Sequence, residues 1–157
     1  MNLEAFLICD AATDNAGKLN LLGAFDSVFL NDVPATHPHC AVVLRLRFDK
    51  SEAGEHTITL HLIDEDGKHA IQPLEGRLRV HGNMNATATS NLILNMQGLR
   101  LTRFGEMAFH LMIDDKPVGS LPLYVRKLAP PTPPPAPRRH CRSTTPAVPP
   151  SVRRPGQ

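Results

Sequence analysis

Three side chains able to ligate a metal stand within four residues at His37-Pro38-His39-Cys40. One thiolate and two imidazoles are donors that zinc accepts in tetrahedral sites. Cys9 would supply a fourth if its strand lay beside that of Cys40. His37, His39, Cys40 and Cys9 are therefore the metal candidates. Two features weigh against a site. The spacing matches no established metal motif, and successive residues of a strand point to opposite faces. The plainer reading is a proline-stiffened loop entering a strand whose cysteine is core, and no cofactor is expected.

Carboxylates gather in two turns, Asp64-Glu65-Asp66-Gly67 and Asp114-Asp115. Turns at one end of a sandwich can surround calcium, a hard ion that takes six to eight oxygens. Asp and Gly are also ordinary turn residues, and nothing in the spacing puts the two turns at one end. A nucleophile with an oriented base is not visible. Reactive cysteines need exposure and a lowered pKa, and Cys9 and Cys40 fall inside expected strands. There is no helical His-Glu-x-x-His, no strained serine elbow and no glycine-rich loop opening a helix. The chain reads as non-enzymatic.

Arginines recur at alternate positions, Arg45 and Arg47 in one strand and Arg77 and Arg79 in another, with His61 on a third. If these strands share a sheet, its wet face carries a positive stripe suited to an acidic partner through bidentate contacts. Otherwise they are solvated side chains whose stems cover apolar surface. These five residues are the interaction candidates.

The elements that must position these groups are strands. Leu3 to Ala11 is apolar on both faces, which suits a covered central strand or one pairing with a second subunit. After the turn at Asp14 to Lys18, Leu19 to Phe29 reads as one strand with Gly23 as a bulge or close-approach point. Asp32 to Pro38 reads as a loop. In Cys40 to Phe48, Val42, Leu44, Leu46 and Phe48 alternate with Val43, Arg45 and Arg47, a period of two with one face inward. His56 to Ile63 repeats the alternation, and Asp66-Gly67 is a hairpin signal. Glu75 to His81 follows, broken by Gly82-Asn83-Met84-Asn85, then Thr87 to Met96.

A helical turn is expected near Gln97 to Arg103. Glu106 to Ile113 and Val118 to Val125 close the domain, and Pro122 suggests an edge strand. About eight short strands without crossover helices predict an all-β, two-layer antiparallel β-sandwich of immunoglobulin-like or related Greek-key topology, with a closed barrel as the alternative. The core must be aliphatic, since there is no Trp and only one Tyr.

The pattern stops at Leu128. Residues 129–157 carry a proline run, five arginines and no acids. Proline lacks an amide donor, so this tail is expected to be disordered with polyproline II character. The domain is assigned to residues 1–128. Removing the tail's arginines leaves it 12 Lys and Arg against 15 Asp and Glu, a balance of −3. An acidic balance argues against a phosphate-backbone binder. No stretch is long and apolar enough for a membrane helix, and the opening Met1-Asn2-Leu3-Glu4 does not read as a secretory leader. Three cysteines without a pairing pattern suit reduced thiols and a cytoplasmic protein.

Several segments carry a resemblance. Cys9-Asp10-Ala11-Ala12, Gly17 to Asp26, His37 to Cys40 running into Leu44 to Phe48, Gly54-Glu55-His56, Leu62-Ile63-Asp64 and Leu121 to Val125 together resemble a family of small bacterial proteins of unknown function. The resemblance covers residues 1–127. It implies no activity and carries no catalytic residues across, and the tail departs from it. The expected function is a protein–protein interaction or accessory module that binds a protein partner or itself. The alternatives are a small-ligand or metal-binding domain, or an enzyme of another type.

Overall fold

The computed structural model describes residues 1–81 and 87–129. The break expected at Gly82 to Asn85 and the tail beyond Ala129 lie outside the described residues. The fold is all-β with two sheets. Nine strands form: β1 (Asn2–Asn15), β2 (Lys18–Phe25), β3 (Ser27–Leu30), β4 (Ala35–Asp49), β5 (Gly54–Asp64), β6 (Leu74–Val80), β7 (Thr87–Leu101), β8 (Gly105–Ile113) and β9 (Lys116–Lys127). The first sheet has the order β2-β1-β4-β7 and the second β3-β9-β8-β5-β6. All pairings are antiparallel except β3 with β9. One 3-10 turn, Lys50–Glu52, links β4 to β5.

The alternation seen in sequence sets the packing. Cys40, Val42, Leu44, Leu46 and Phe48 of β4 are fully buried. They face Ile58, Leu60 and Leu62 of β5 and Phe109 and Leu111 of β8 in a single core cluster between the sheets. Gly119 lets the sheets approach closely, because a Cβ there would lie 2.7 Å from a Leu3 methyl. The other face of β4 is also covered. Ala41 and Val43 have no exposed surface and cluster with Cys9, Leu7, Ala12, Leu19 and Ile93. The tip of the β1–β2 hairpin lies over this face, where Asn91 of β7 donates to the Asp14 carboxylate (2.7 Å) and to the Gly17 carbonyl (3.2 Å).

Four expectations change. The segment Leu19 to Phe29 is not one strand. It crosses at Asp26 from the edge of the first sheet (β2) to the edge of the second (β3). The Asp32 to Pro38 loop is shorter, because β4 begins at Ala35 and carries His37, Pro38 and His39 in the ladder with β7. The helical turn at Gln97 to Arg103 is absent, since β7 runs to Leu101. Leu92, Leu94 and Met96 pack inward at every second position, then Leu99 and Leu101 continue one residue out of phase. Gly98, at φ +66°, sits at the switch, and the resulting three-residue spacing imitates a helix.

The fourth change concerns β9, while β1 stands as expected, covered on both faces. Strand β1 pairs with β4 from Asn2 to Cys9 and with β2 only from Ile8 onward, so Asn2 to Leu7 have no described strand partner on the β2 side. Its two apolar faces serve the core and the hairpin-covered cluster. Strand β9 is interior in the sheet order, although β3 pairs only with Tyr124 to Lys127. Pro122 therefore lies where no described strand pairs on that side, which spares it the missing donor.

Near the β8–β9 turn, His56 stacks on Phe48 with ring centroids 5.0 Å apart. Its Nε2 meets the Glu52 carbonyl at 2.8 Å and its Nδ1 meets the Asp114 carboxylate at 2.7 Å. Both partners accept, so only the imidazolium satisfies both. The Glu52 carbonyl first, then Asp114, hold the His56 pKa above its ordinary 6.5. His56 in turn holds Asp114 below its ordinary 3.8.

The sign of the linkage follows. The His56 contribution is complete below 6.5 and is lost as pH rises through the higher folded value. The Asp114 contribution is complete above 3.8 and is lost as pH falls through the lower folded value. Melting curves of the wild type and His56→Gln should therefore differ most between those two values, and the gap should close as pH rises above 6.5. A gap independent of pH would contradict the pairing.

Candidate functional site

Glycine at position 23 shapes the first site. Its φ of +65° is the left-handed backbone that side chains resist. A Cβ there would lie 2.1 Å from an Asp10 carboxylate oxygen, so glycine lets the Asp10 side chain lie against β2. Beyond it the chain crosses between sheets at Asp26, whose carbonyl accepts the Tyr124 N–H at 2.7 Å. The crossing opens a depression of about 450 Å³. Asp10, Phe25, Ser27, Phe29, Thr36 and His37 are among its walls. Its volume falls within the range of small-ligand sites.

His37 reaches this depression because it pairs with Leu99, just past the phase switch at Gly98. Paired residues share a face, so His37 turns with Leu99 toward Phe25, ring centroids 5.6 Å apart. Its Nε2 is buried and has no hydrogen-bond partner. Sequence reasoning singled out His37 but missed Asp10 and Phe29. The available signal was Gly23, read as a bulge or close-approach point; the close approach is present, and its partner is Asp10.

The metal candidates do not converge. Cys9 belongs to the hairpin-covered cluster with Ala41, and Cys40 to the core between the sheets. The two thiols therefore occupy opposite faces of one sheet, as the pleat requires. His39 is exposed and pairs with Gln97. Among the described residues no three His, Cys, Asp or Glu side chains are placed to hold a metal ion. Burial pushes the Cys40 thiol up to about 11, and burial also raises Cys9. Both are protonated near neutrality and unsuited to nucleophilic work.

The carboxylate turns are separate as well. Asp64 closes the C-terminal end of β5, whereas Asp114 exchanges backbone and side-chain bonds with Thr57 near its start. Arg103 pairs with Asp64 at 3.2 Å and Asp66 at 2.6 Å, and Asp64 also accepts the Lys68 and Asp66 amides. The Lys68 amide leads the causes that hold the Asp64 carboxyl below its ordinary range.

No single arginine stripe exists. Arg45 and Arg47 stand on β4 in the first sheet, while Arg77 and Arg79 stand on β6 and His61 on β5 in the second. Period-two alternation reports which residues face outward but not which strands are neighbours. Glu4 takes Arg45 at 2.9 Å and also Arg47, and the Arg47 contact leads the causes that lower its pKa. Arg45 also donates to Asn91 at 2.9 Å. Arg77 pairs with Glu55 at 3.1 Å, and Arg79 lies opposite Glu55 in the ladder.

These features define a two-sheet all-β domain with an open surface depression at the crossing between its sheets. The chain belongs to the family described as "Family of unknown function (DUF6941)", whose model matches residues 4–126. No curated protein matches the sequence. Among solved structures, the chain is similar to Pseudomonas fluorescens alkylpurine DNA glycosylase AlkC bound to DNA containing an abasic site analog. Identity is 10%, the TM-score is 0.49, and the match covers 80% of this chain and 30% of that one.

Two outcomes test the site. Gly23→Ala should lower stability by about 1–2 kcal/mol in urea unfolding, because it adds left-handed strain and a clash with Asp10. Unchanged stability would show that Asp10 moves freely. In a Cys141→Ser variant, Cys9 and Cys40 should resist a chromogenic disulfide reagent in the native state and react at once in urea. A thiol that reacts fast without urea would contradict their burial.

Proposed function

We propose that this domain is a protein–protein interaction module that takes an extended apolar segment of a partner along the β2–β3 margin. The observation that carries the reading is the exposure of large apolar side chains there. Leu22 is 70% exposed, Phe29 57% and Leu21 41%. Scattered exposed apolar residues are ordinary, but these three sit on one stretch of chain, Phe29 in the depression at Asp10 and His37 and Leu21 and Leu22 in a smaller one along β2.

Strand β2 ends the first sheet and β3 the second. Each leaves a row of backbone groups without a strand partner, the template used in strand addition. Main-chain bonds along β2 would supply affinity. An apolar side chain seated beside Phe25 and Phe29, with Asp10, Ser27 and His37 at the rim, would supply selectivity.

The reading extends to topology and setting. The parallel pairing of β3 with β9, and the order β9-β8-β5-β6 beside β1-β4-β7, support an immunoglobulin-like arrangement. The acidic balance of residues 1–128 favours a protein over a nucleic acid as partner. Reduced thiols favour the cytoplasm. Among the described residues no helix is long and apolar enough to cross a membrane.

Site-specific photo-crosslinking tests the surface. A benzophenone side chain replaces Leu22, Phe29 or, as a control on β5 away from that margin, Thr59, and the protein is irradiated in cells of its host. Positions 22 and 29 should yield the same adduct, absent at 59. An adduct with a second copy of this chain would identify self-association as the use of the edge. No adduct at 22 and 29, or the same adduct at 59, would overturn the reading.

A further inference from the structure

The outer face of the second sheet holds a second depression, of about 380 Å³, away from the β2–β3 margin. Three imidazoles line it, each from a different element. His61 comes from β5, His110 stands directly opposite it on β8, and His69 comes from the β5–β6 connection, bridged to Ile63. The His61 and His69 ring centroids are 5.2 Å apart. Ile63, Met112 and Pro117 supply apolar walls. His61 Nδ1 is buried and has no hydrogen-bond partner.

We infer that this depression binds a small carboxylate with an apolar body. An unpaired buried nitrogen is costly, and a ligand acceptor would relieve it. A carboxylate offers two acceptor oxygens, so it can take N–H groups from two imidazoles at once. The apolar walls then cover the rest of the ligand. A bound cation suits the site less well, because the imidazoles are not placed to converge on one metal ion.

Asp64, Glu65 and Glu106 line an adjoining smaller depression that shares His110 and Ile63. Glu65 is turned to the Glu106 backbone N–H, which it accepts at 2.6 Å. Sequence alternation placed His61 outward but did not bring His69 and His110 to it. That juxtaposition depends on the β5–β8 register and on the fold of the connection after Asp64.

The test uses the full chain with benzoate as the probe, and benzyl alcohol as its uncharged counterpart. Histidine side-chain resonances are followed by long-range proton–nitrogen correlation. Benzoate should shift the His61, His69 and His110 imidazoles in a saturable way and leave His37 and His39 unmoved. Benzyl alcohol should bind about tenfold or more weakly. His61→Gln and His110→Gln should each weaken benzoate by about ten- to a hundredfold, with unchanged circular dichroism. His37→Gln should leave it unchanged. Unmoved imidazoles at millimolar benzoate, equal affinity for benzyl alcohol, or saturation of the same histidines by zinc but not by benzoate would each overturn the inference.

Discussion

Burial of β4 on both faces is the constraint on which the rest of this fold depends. One face, from Cys40 to Phe48, fills the space between the sheets. The other presents Ala41 and Val43, which are small and fully covered. A strand buried on both sides must have neighbours on both edges and covers above and below. Strands β1 and β7 satisfy the edges, the second sheet covers the core face, and the β1–β2 hairpin covers the other. The ladder with β7 keeps one register from Ala35 to Asp49. A slip of one residue would turn Leu44 outward and Arg45 inward, which the burial of both faces forbids.

That arrangement explains where the polar groups gather. No polar or charged residue is fully buried among the described residues, so charge is settled at the rims. Glu4 collects Arg45 and Arg47, Arg103 collects Asp64 and Asp66, and His56 links Asp114 to the turn after β4. Exposed pairs of this kind contribute little individually. Their effect is to fix turns and strand ends.

The two depressions share an origin. Each forms where a strand pattern is interrupted, at the sheet crossing after Gly23 and Phe25 in one case and at the β5–β6 connection in the other. Regular sheet offers a flat surface, and concavity appears where pairing stops. Such positions commonly carry function on β folds because they are free of core packing while held by it.

Much of the fold was legible in the chain. Alternation in residues 40–48, 56–63 and 106–113 gave strands and their inward faces, and Asp-Gly and Asp-Asp turns gave their ends, because side-chain period and turn chemistry are local properties. The candidate site was legible only in part. His37 stood out by type, but its entry into the depression required the phase switch at Gly98 across from Pro38. The stripe of Arg45, Arg47, Arg77 and Arg79 dissolved because period two is blind to which strands are neighbours. Cys9 and Cys40 stand on neighbouring strands but parted because the register sets Cys9 opposite Ala41, which turns Cys40 to the other face of the sheet. The sequence by itself determined local geometry and the direction of each side chain within its strand. Only the tertiary structure decided which strands meet, since pairing is settled by burial summed over the whole domain, and with it which distant residues share a site.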